Sequence, residues 1–237
     1  MATVTIPARF NGPPRSANGG YACGAIAAHL DGPVRVTLHA PPPLDRPLDV
    51  RPSPAGSIEV VDGDAVIATA TLLQVPVAFD LPYVVSLEEA ADAVDDYLGW
   101  DQHLFPTCFV CGPDRGDGLR LFTGPVDDGI VASPWLPDRS LDRGDGSVAE
   151  VFVWAALDCP GYFGGPAPRP ALLGNLTTTQ RAPVVIGEPH VVVGWRLDDD
   201  GRRFRTGSAI LTPQGSVLAI GEAHWVEVSA DVLETFQ

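Results

Sequence analysis

The sequence predicts an α+β fold made of two similar units, each an apolar helix followed by an antiparallel sheet. Two observations support this prediction. A pattern of strands and turns recurs in the second half of the 237-residue chain, and each copy is preceded by a helix that is apolar on most sides. A chain of this length accommodates two small units, or one large domain, with cores that need no disulfide or metal.

The repeat is clearest near the end of each half. Residues 56–75 (GSIEVVDGDAVIATATLLQV) align without a gap with residues 207–226 (GSAILTPQGSVLAIGEAHWV). Both segments read as two strands joined by a Gly-containing hairpin turn. Earlier in each half, TLHAP at 37–41 matches TQRAP at 179–183, an offset of 142 residues. The matches keep their order along the chain, which indicates a duplicated unit.

Each repeated sheet is preceded by an apolar helix. The segments NGGYACGAIAAHL (18–30) and VAEVFVWAALDCP (148–160) align at an offset of about 130 residues, and both have the composition of a helix wrapped by a sheet. Between the halves, SLEEAADAVDDYLG (86–99) predicts a connecting helix that starts with a Ser-x-x-Glu capping box and ends at Gly99. The predicted organisation is a first unit (1–80), a connector with an acidic helix (81–104) and a second unit (105–237).

Composition narrows the classes of function. The formal net charge is −15, and all 15 basic residues are Arg. Such an acidic chain is a poor partner for nucleic-acid phosphates or anionic lipids, and without Lys it cannot form a Schiff base. No apolar run approaches the ~20 residues of a membrane span, and the N-terminus lacks a secretory signal. We therefore expect a cytoplasmic protein with reduced cysteines that binds no nucleic acid and does not span a membrane.

Several stretches resemble acyl-CoA thioesterases of the hotdog-fold superfamily. CFVCGPDRGDGLRLF (108–122) is similar to the cysteine-containing lead-in to the helix of many single-domain members. VWAALDCPGYF (153–163) and QGSVLAIGEAHWVEV (214–228) are similar to the central helix and the last strand of members with two hotdog units, and FNGPPRSANGGYACGAIAAHL (10–30) to their first helix. The resemblance implies a double hotdog fold, hydrolysis of acyl-CoA or a related acyl thioester, no cofactor, and assembly into a homo-oligomer.

The resemblance implies that Asp158 is the base that activates water, because it falls where double-hotdog thioesterases place their acid. Asp158 follows seven uncharged residues, 151–157, so we expect a partly desolvated carboxylate with a raised pKa. Asp158 also precedes Cys-Pro-Gly, so a role in ending the helix is an equally good explanation. Glu150, at the start of the same helix, either complements the helix dipole or lines the same pocket as Asp158.

The first helix contains no acid from Gly19 to Leu30, so its predicted contribution to a site is its N-terminus. Asn18 is the N-cap candidate, and the backbone N–H groups of Asn18, Gly19 and Gly20 are candidates for holding a thioester carbonyl. The predicted pocket lies between the two helices. Its candidate aromatic lining residues, which could equally be core residues, are Tyr21, Trp154, Tyr162 and Phe163.

Polar strand residues complete the candidate site, because the resemblance implies that a strand hydroxyl and a strand amide position the water. Alternation places Asn175, Thr177 and Thr179 on one face of their strand and Leu176, Thr178 and Gln180 on the other, and the sequence leaves open which threonine faces the pocket. The polar residues expected on inward strand faces are Asn175, Thr177, Thr179, Glu222 and His224. The last strand has no Gln near Ala223, a departure from the family pattern. A non-catalytic acyl-CoA or lipid-binding protein therefore stays open as the alternative.

Other chemistries lack their motifs. The sequence has no G-x-S-x-G, G-x-G-x-x-G or P-loop, and no Asp–His pair follows either helix as the hotdog hydratases require. Cys108 and Cys111 form a C-x-x-C with His103 as the nearest further ligand, but no second pair completes a four-ligand zinc spacing, so we predict no metal site. Cys23 and Cys159 each belong to an apolar helix and are expected to be small core residues.

Overall fold

A computed structural model of the chain describes residues 2–236. Eleven strands of this part form one antiparallel sheet: β1 (Ala2–Thr5), β2 (Val34–Leu38), β3 (Pro47–Ser53), β4 (Ser57–Asp62), β5 (Ala65–Leu72), β6 (Gly124–Asp127), β7 (Ile130–Trp135), β8 (Ala171–Gln180), β9 (His190–Asp200), β10 (Arg203–Leu211) and β11 (Val217–Glu227). The α-helices of the same part are α1 (Gly19–Ala27), α2 (Leu87–Ala93), α3 (Glu150–Ala156), α4 (Cys159–Phe163) and α5 (Ala230–Glu234).

The strand order shows the duplication. Across the sheet the order is β1-β3-β4-β5-β2-β8-β11-β10-β9-β7-β6. Read outward from the centre, β2-β5-β4-β3-β1 has the same connectivity as β8-β11-β10-β9-β7, and β6 adds an edge strand. At the centre, Arg35 of β2 pairs with Thr177 of β8. These residues are separated by the same 142-residue offset that relates TLHAP to TQRAP, so a local pseudo-twofold axis passes through this pair.

Helices α1 and α3 lie side by side on one face of the sheet, called here the helix face. Two glycines one turn apart allow their backbones to approach closely. A Cβ atom at Gly20 would lie 2.5 Å from the Cβ of Asp158, and one at Gly24 would lie 2.8 Å from the Cβ of Trp154. The core between these helices and the central strands includes Cys23, Ile26, Val36, Leu176 and Ala223.

The connector lies on the opposite face of the sheet, called here the outer face. Val85 and Ala90 pack against Ile220 and Trp195 there. The predicted capping box is confirmed, since the Ser86 N–H donates to the Glu89 carboxylate and the Glu89 N–H donates to Ser86 Oγ. The α-helix is shorter than predicted, because the chain tightens into 3₁₀ turns at 94–96 and 98–100 instead of continuing to residue 99.

The unit boundaries at residues 80 and 105 stay a prediction. Strands β1–β5 precede the connector and β6–β11 follow it. Between residues 2 and 236, the chain forms no helix with the length and apolar character that crossing a membrane requires.

Candidate functional site

Asp158 lies at the break between α3 and α4, on the side of the helices that faces the first unit. Helix α3 ends at Ala156 and α4 begins at Cys159, so the predicted stop before Cys-Pro-Gly is present. The Asp158 side chain does not cap α4. Its Oδ2 instead accepts hydrogen bonds from the backbone N–H of Gly20 and from Nδ2 of Asn18, each at 2.8 Å. The carboxylate is therefore bound to the N-terminus of α1, not to its own helix.

Two further contacts fix this arrangement. The predicted N-cap is confirmed, because Asn18 Oδ1 accepts a hydrogen bond of 2.8 Å from the Tyr21 N–H while its Nδ2 group holds Asp158. On the other side, the hydroxyl of Ser208 donates to the Leu157 carbonyl at 2.7 Å and anchors the end of α3 to the sheet. One amide side chain thus caps α1 and positions the carboxylate.

Burial controls the protonation of Asp158. The residue is 3% exposed. Desolvation raises its pKa to about 7, against the opposing effect of the hydrogen bonds from Gly20 and Asn18. Its second oxygen, Oδ1, is buried and has no hydrogen-bond partner among the residues described. The expected raised pKa is present, and the carboxyl group has one oxygen free to accept a proton.

A cavity of about 330 Å³ begins at this carboxyl group. Asn18, Gly19 and Asp158, which the hydrogen bonds to Asp158 bring together, are all part of its wall. Much of the remaining wall is apolar, including Leu38, Phe105, Leu173, Trp225 and Phe236. The N–H of Gly19 is the first of α1, and within residues 2–236 the structure shows no acceptor for it, whereas the N–H groups of its neighbours are bonded. Gly19 and Asp158 thus both belong to the cavity wall, and each carries one polar atom without a hydrogen-bond partner among the described residues.

Two of the four predicted aromatic lining residues are in place. Tyr162 and Phe163, at the end of α4, line the cavity. Tyr21 does not, because its ring stacks on Phe10 with the centroids 4.0 Å apart. Trp154 faces the α1 backbone at Gly24 and is part of the core between the helices. Gly20 contributes through its hydrogen bond to Asp158 and not as a lining residue.

Glu150 does not share the cavity with Asp158. It is exposed in the first turn of α3 and is absent from the cavity wall. Helix α3 has only seven residues, so Glu150 lies at its far end from Asp158. Its position fits the other explanation given by the sequence, a negative charge that complements the helix dipole.

The predicted strand residues face away from the cavity. Leu173 and Leu176 both pack on the helix face, although they are three positions apart. The reason is a β-bulge at Gly174: Trp225 pairs with Leu173 and His224 pairs with Asn175, so Gly174 has no partner. Beyond this bulge the alternation is inverted. The inversion places Asn175, Thr177 and Thr179 on the outer face. Glu222 and His224 of β11 lie on the same face, because they pair with Thr177 and Asn175.

Three of the four cysteines lie together in the cavity wall. The Sγ atoms of Cys108, Cys111 and Cys159 are all within 4.8 Å of one another, and all three residues are buried. Cys159 is a buried core residue, as its helix suggests, and it also lies beside the C-x-x-C. Cys23, in contrast, is fully buried within α1 and outside the cluster. The fold brings Cys159 to the C-x-x-C across 48 residues of sequence, which no local motif could indicate.

Comparisons with known proteins show the fold. No protein-family model and no curated protein matches the sequence. Among solved structures, the tesB protein of Mycobacterium avium subsp. paratuberculosis is similar over 95% of this chain and 91% of its own, with a TM-score of 0.55 and 12% identity. A thioesterase superfamily protein is similar over 49% of this chain and 61% of its own, with a TM-score of 0.43 and 21% identity.

A third similar structure is the PaaI protein of the phenylacetic acid degradation operon of E. coli. It matches 44% of this chain and 81% of its own, with a TM-score of 0.39 and 11% identity. The similarity to the tesB protein over 95% of this chain shows an α+β double-hotdog fold, and the resemblance to hotdog-fold proteins is confirmed at the level of the fold.

Proposed function

We propose that the protein hydrolyses acyl thioesters, with Asp158 as the general base. The observation that carries this proposal is that Asp158 and Gly19 both line a largely apolar cavity, and that Asp158 Oδ1 and the Gly19 N–H have no hydrogen-bond partner among the described residues. Hydrolysis of a thioester needs a base for the attacking water and a donor for the carbonyl oxygen. Both groups are present and both lack a partner among the described residues.

The reaction follows from these two groups. Asp158 Oδ1 takes a proton from a water molecule as the water oxygen attacks the thioester carbon. The carbonyl oxygen gains negative charge and accepts a hydrogen bond from the Gly19 N–H at the positive end of α1. The C–S bond then breaks, and the proton passes from Asp158 to the thiolate sulfur. The products are a carboxylic acid and a thiol, and the carboxylate is restored.

The cavity favours a small or medium acyl group on a CoA-like carrier. A volume of about 330 Å³ is at the lower end of the range for ligand pockets, roughly 300–1,000 Å³. None of the described residues in its wall is Arg. Arg15 precedes the lining residue Ser16 and donates to the Thr235 carbonyl beside the lining residue Phe236. Arg15 is therefore our candidate contact for the phosphates of CoA.

The alternative is a non-catalytic acyl-CoA or lipid-binding protein that uses the same cavity. The outer-face position of Thr177 and Glu222 favours it, because these strand residues cannot hold the water. Cytoplasmic location and assembly into a homo-oligomer stay predictions, and light scattering on the purified protein tests the second.

The test uses acyl-CoAs of graded chain length as substrates, and hydrolysis is measured by the release of free thiol. Wild type is compared with Asp158→Asn and with Glu88→Gln, a control that removes an exposed carboxylate on the remote helix α2. We expect turnover in wild type and Glu88→Gln, and a loss of at least about 100-fold in Asp158→Asn. Wild type that binds acyl-CoA by calorimetry but releases no thiol from any substrate would establish the binding protein instead.

A further inference from the structure

The cysteine cluster has the dimensions of a metal site. Cys108 Sγ and Cys159 Sγ are 3.9 Å apart, and Cys111 Sγ lies within 4.8 Å of both. A tetrahedral zinc ion with Zn–S distances of about 2.3 Å holds its sulfur ligands about 3.8 Å apart. We propose that Cys108, Cys111 and Cys159 bind one thiophilic divalent cation of the zinc type in the cavity wall. The inference is independent of the proposed hydrolysis.

The ligands are held in place by contacts that need no ion. The Gly112 N–H donates to the Cys108 carbonyl at 2.9 Å and closes the C-x-x-C turn. The Phe109 N–H donates to the Asn11 carbonyl at 2.8 Å and ties the same turn to the first half of the chain. Cys159 is fixed separately as the first residue of α4. Because the three sulfurs are preorganised, binding an ion costs little conformational entropy.

One hydrogen-bond donor lies against two of the three sulfurs. Asn18 Nδ2 lies 3.9 Å from Cys108 Sγ and 3.8 Å from Cys159 Sγ. Such outer hydrogen-bond partners orient and stabilise metal ligands. Three thiolates around a divalent cation leave a single net negative charge, which is far less costly to bury than three separate anions.

A fourth ligand of the proposed ion would come from the cavity. The cluster contains no His, Asp or Glu among the residues described, and all three cysteines line the cavity wall. Three protein ligands and one open position are typical of zinc sites that hold a water molecule or an exchangeable ligand. The structure thus assigns these cysteines an ion whose free position is reached from the same space as Asp158.

The test measures zinc directly on the full chain. The freshly purified protein is analysed for metal content, then stripped with a chelator and a thiol reductant and titrated with Zn²⁺ against a chromophoric competitor. Co²⁺ replaces Zn²⁺ in a parallel sample to reveal thiolate-to-cobalt charge-transfer absorption. The variants are Cys159→Ser and Cys159→Ala, with Cys23→Ala as the matched control, since Cys23 is also buried but lies outside the cluster. Thermal melting confirms that each variant folds.

We expect one zinc ion per chain and a thiolate–cobalt band in wild type and Cys23→Ala. Both Cys159 variants should lose the band and bind zinc at least about 100-fold more weakly. The proposal is overturned if reduced wild type binds no zinc, or if the Cys159 variants keep wild-type affinity. A disulfide among the three cysteines in the purified protein, with no zinc bound after reduction, would overturn it in favour of a thiol pair.

Discussion

Replacing Asp158 with Asn should abolish hydrolysis and stabilise the protein. The pKa of Asp158 is raised from 3.8 to about 7 by burial, which corresponds to roughly 4 kcal/mol of additional cost for the ionised carboxyl group in the folded state. The folded state therefore keeps a proton that the unfolded chain releases as the pH rises above about 4. The contribution of Asp158 to wild-type stability should fall as the pH rises from about 4 to about 7 and should level off above that interval.

The asparagine side chain of this variant has the same shape as the aspartate and still offers an oxygen to Gly20 and Asn18, but it carries no charge. At pH 8 the variant should thus be more stable than wild type by up to roughly 4 kcal/mol, or on the order of 10 °C in melting temperature for a chain of this size. At pH 4 the two proteins should melt together. Other carboxylates titrate equally in both proteins, so the difference between the two curves isolates Asp158.

Melting curves from pH 4 to 8, recorded with chelator and reductant so that no metal ion occupies the neighbouring cysteines, measure this difference. Thiol release from acyl-CoA, measured on the same samples at pH 8, completes the assay. A variant that is inactive and more stable only at high pH is explained by a buried functional carboxylate. Equal stability of the two proteins at pH 8 would refute the argument that burial makes the ionised form of Asp158 costly.

Three other substitutions test separate parts of the site. Gly20→Ala should lower the free energy of unfolding in urea by about 1–3 kcal/mol and reduce turnover, because its Cβ would lie 2.7 Å from the Trp154 carbonyl oxygen. The control Gly116→Ala should change neither quantity, because its Cβ would meet nothing within 4 Å. Glu150→Gln should keep wild-type turnover, and a large loss would return this residue to the site. Arg15→Ala should raise KM about twofold to fivefold for acyl-CoA but not for acyl-pantetheine, which lacks the nucleotide phosphates; equal effects on both would exclude a phosphate contact.

The fold could be predicted because its signals are local or repeated. The capping box at Ser86, the N-cap at Asn18 and the two apolar helices each depend on a few neighbouring residues. The duplication added long-range information, because matching segments are related by the pseudo-twofold axis that passes through the pair of Arg35 and Thr177. Asp158 could be proposed because the family resemblance implies an acid at its position and because a carboxylate after seven uncharged residues is conspicuous in the sequence.

The rest of the site depends on features that the sequence does not display. The prediction for Thr177 and Asn175 failed because one bulge, at Gly174, inverts every later side chain of β8. Without that bulge both residues would have followed Leu173 onto the helix face. The hydrogen bond from Asn18 to Asp158 joins residues 140 positions apart. No local pattern connects two such residues, because they meet only once α1 and α3 have packed side by side.

The duplicated fold should hold one functional site, not two. The helix alignment relates Gly20 to Glu150 and Asp158 to Ala28. At the position that the pseudo-twofold axis relates to the site, the exposed Glu150 therefore replaces Gly20, and the exposed Ala28 replaces the base. Titration of Asp158→Asn with an acyl-CoA that wild type hydrolyses should therefore saturate at one ligand per chain. A stoichiometry of two would show that the first unit also binds substrate. Binding would then not require a carboxylate that is hydrogen-bonded to the opposite helix.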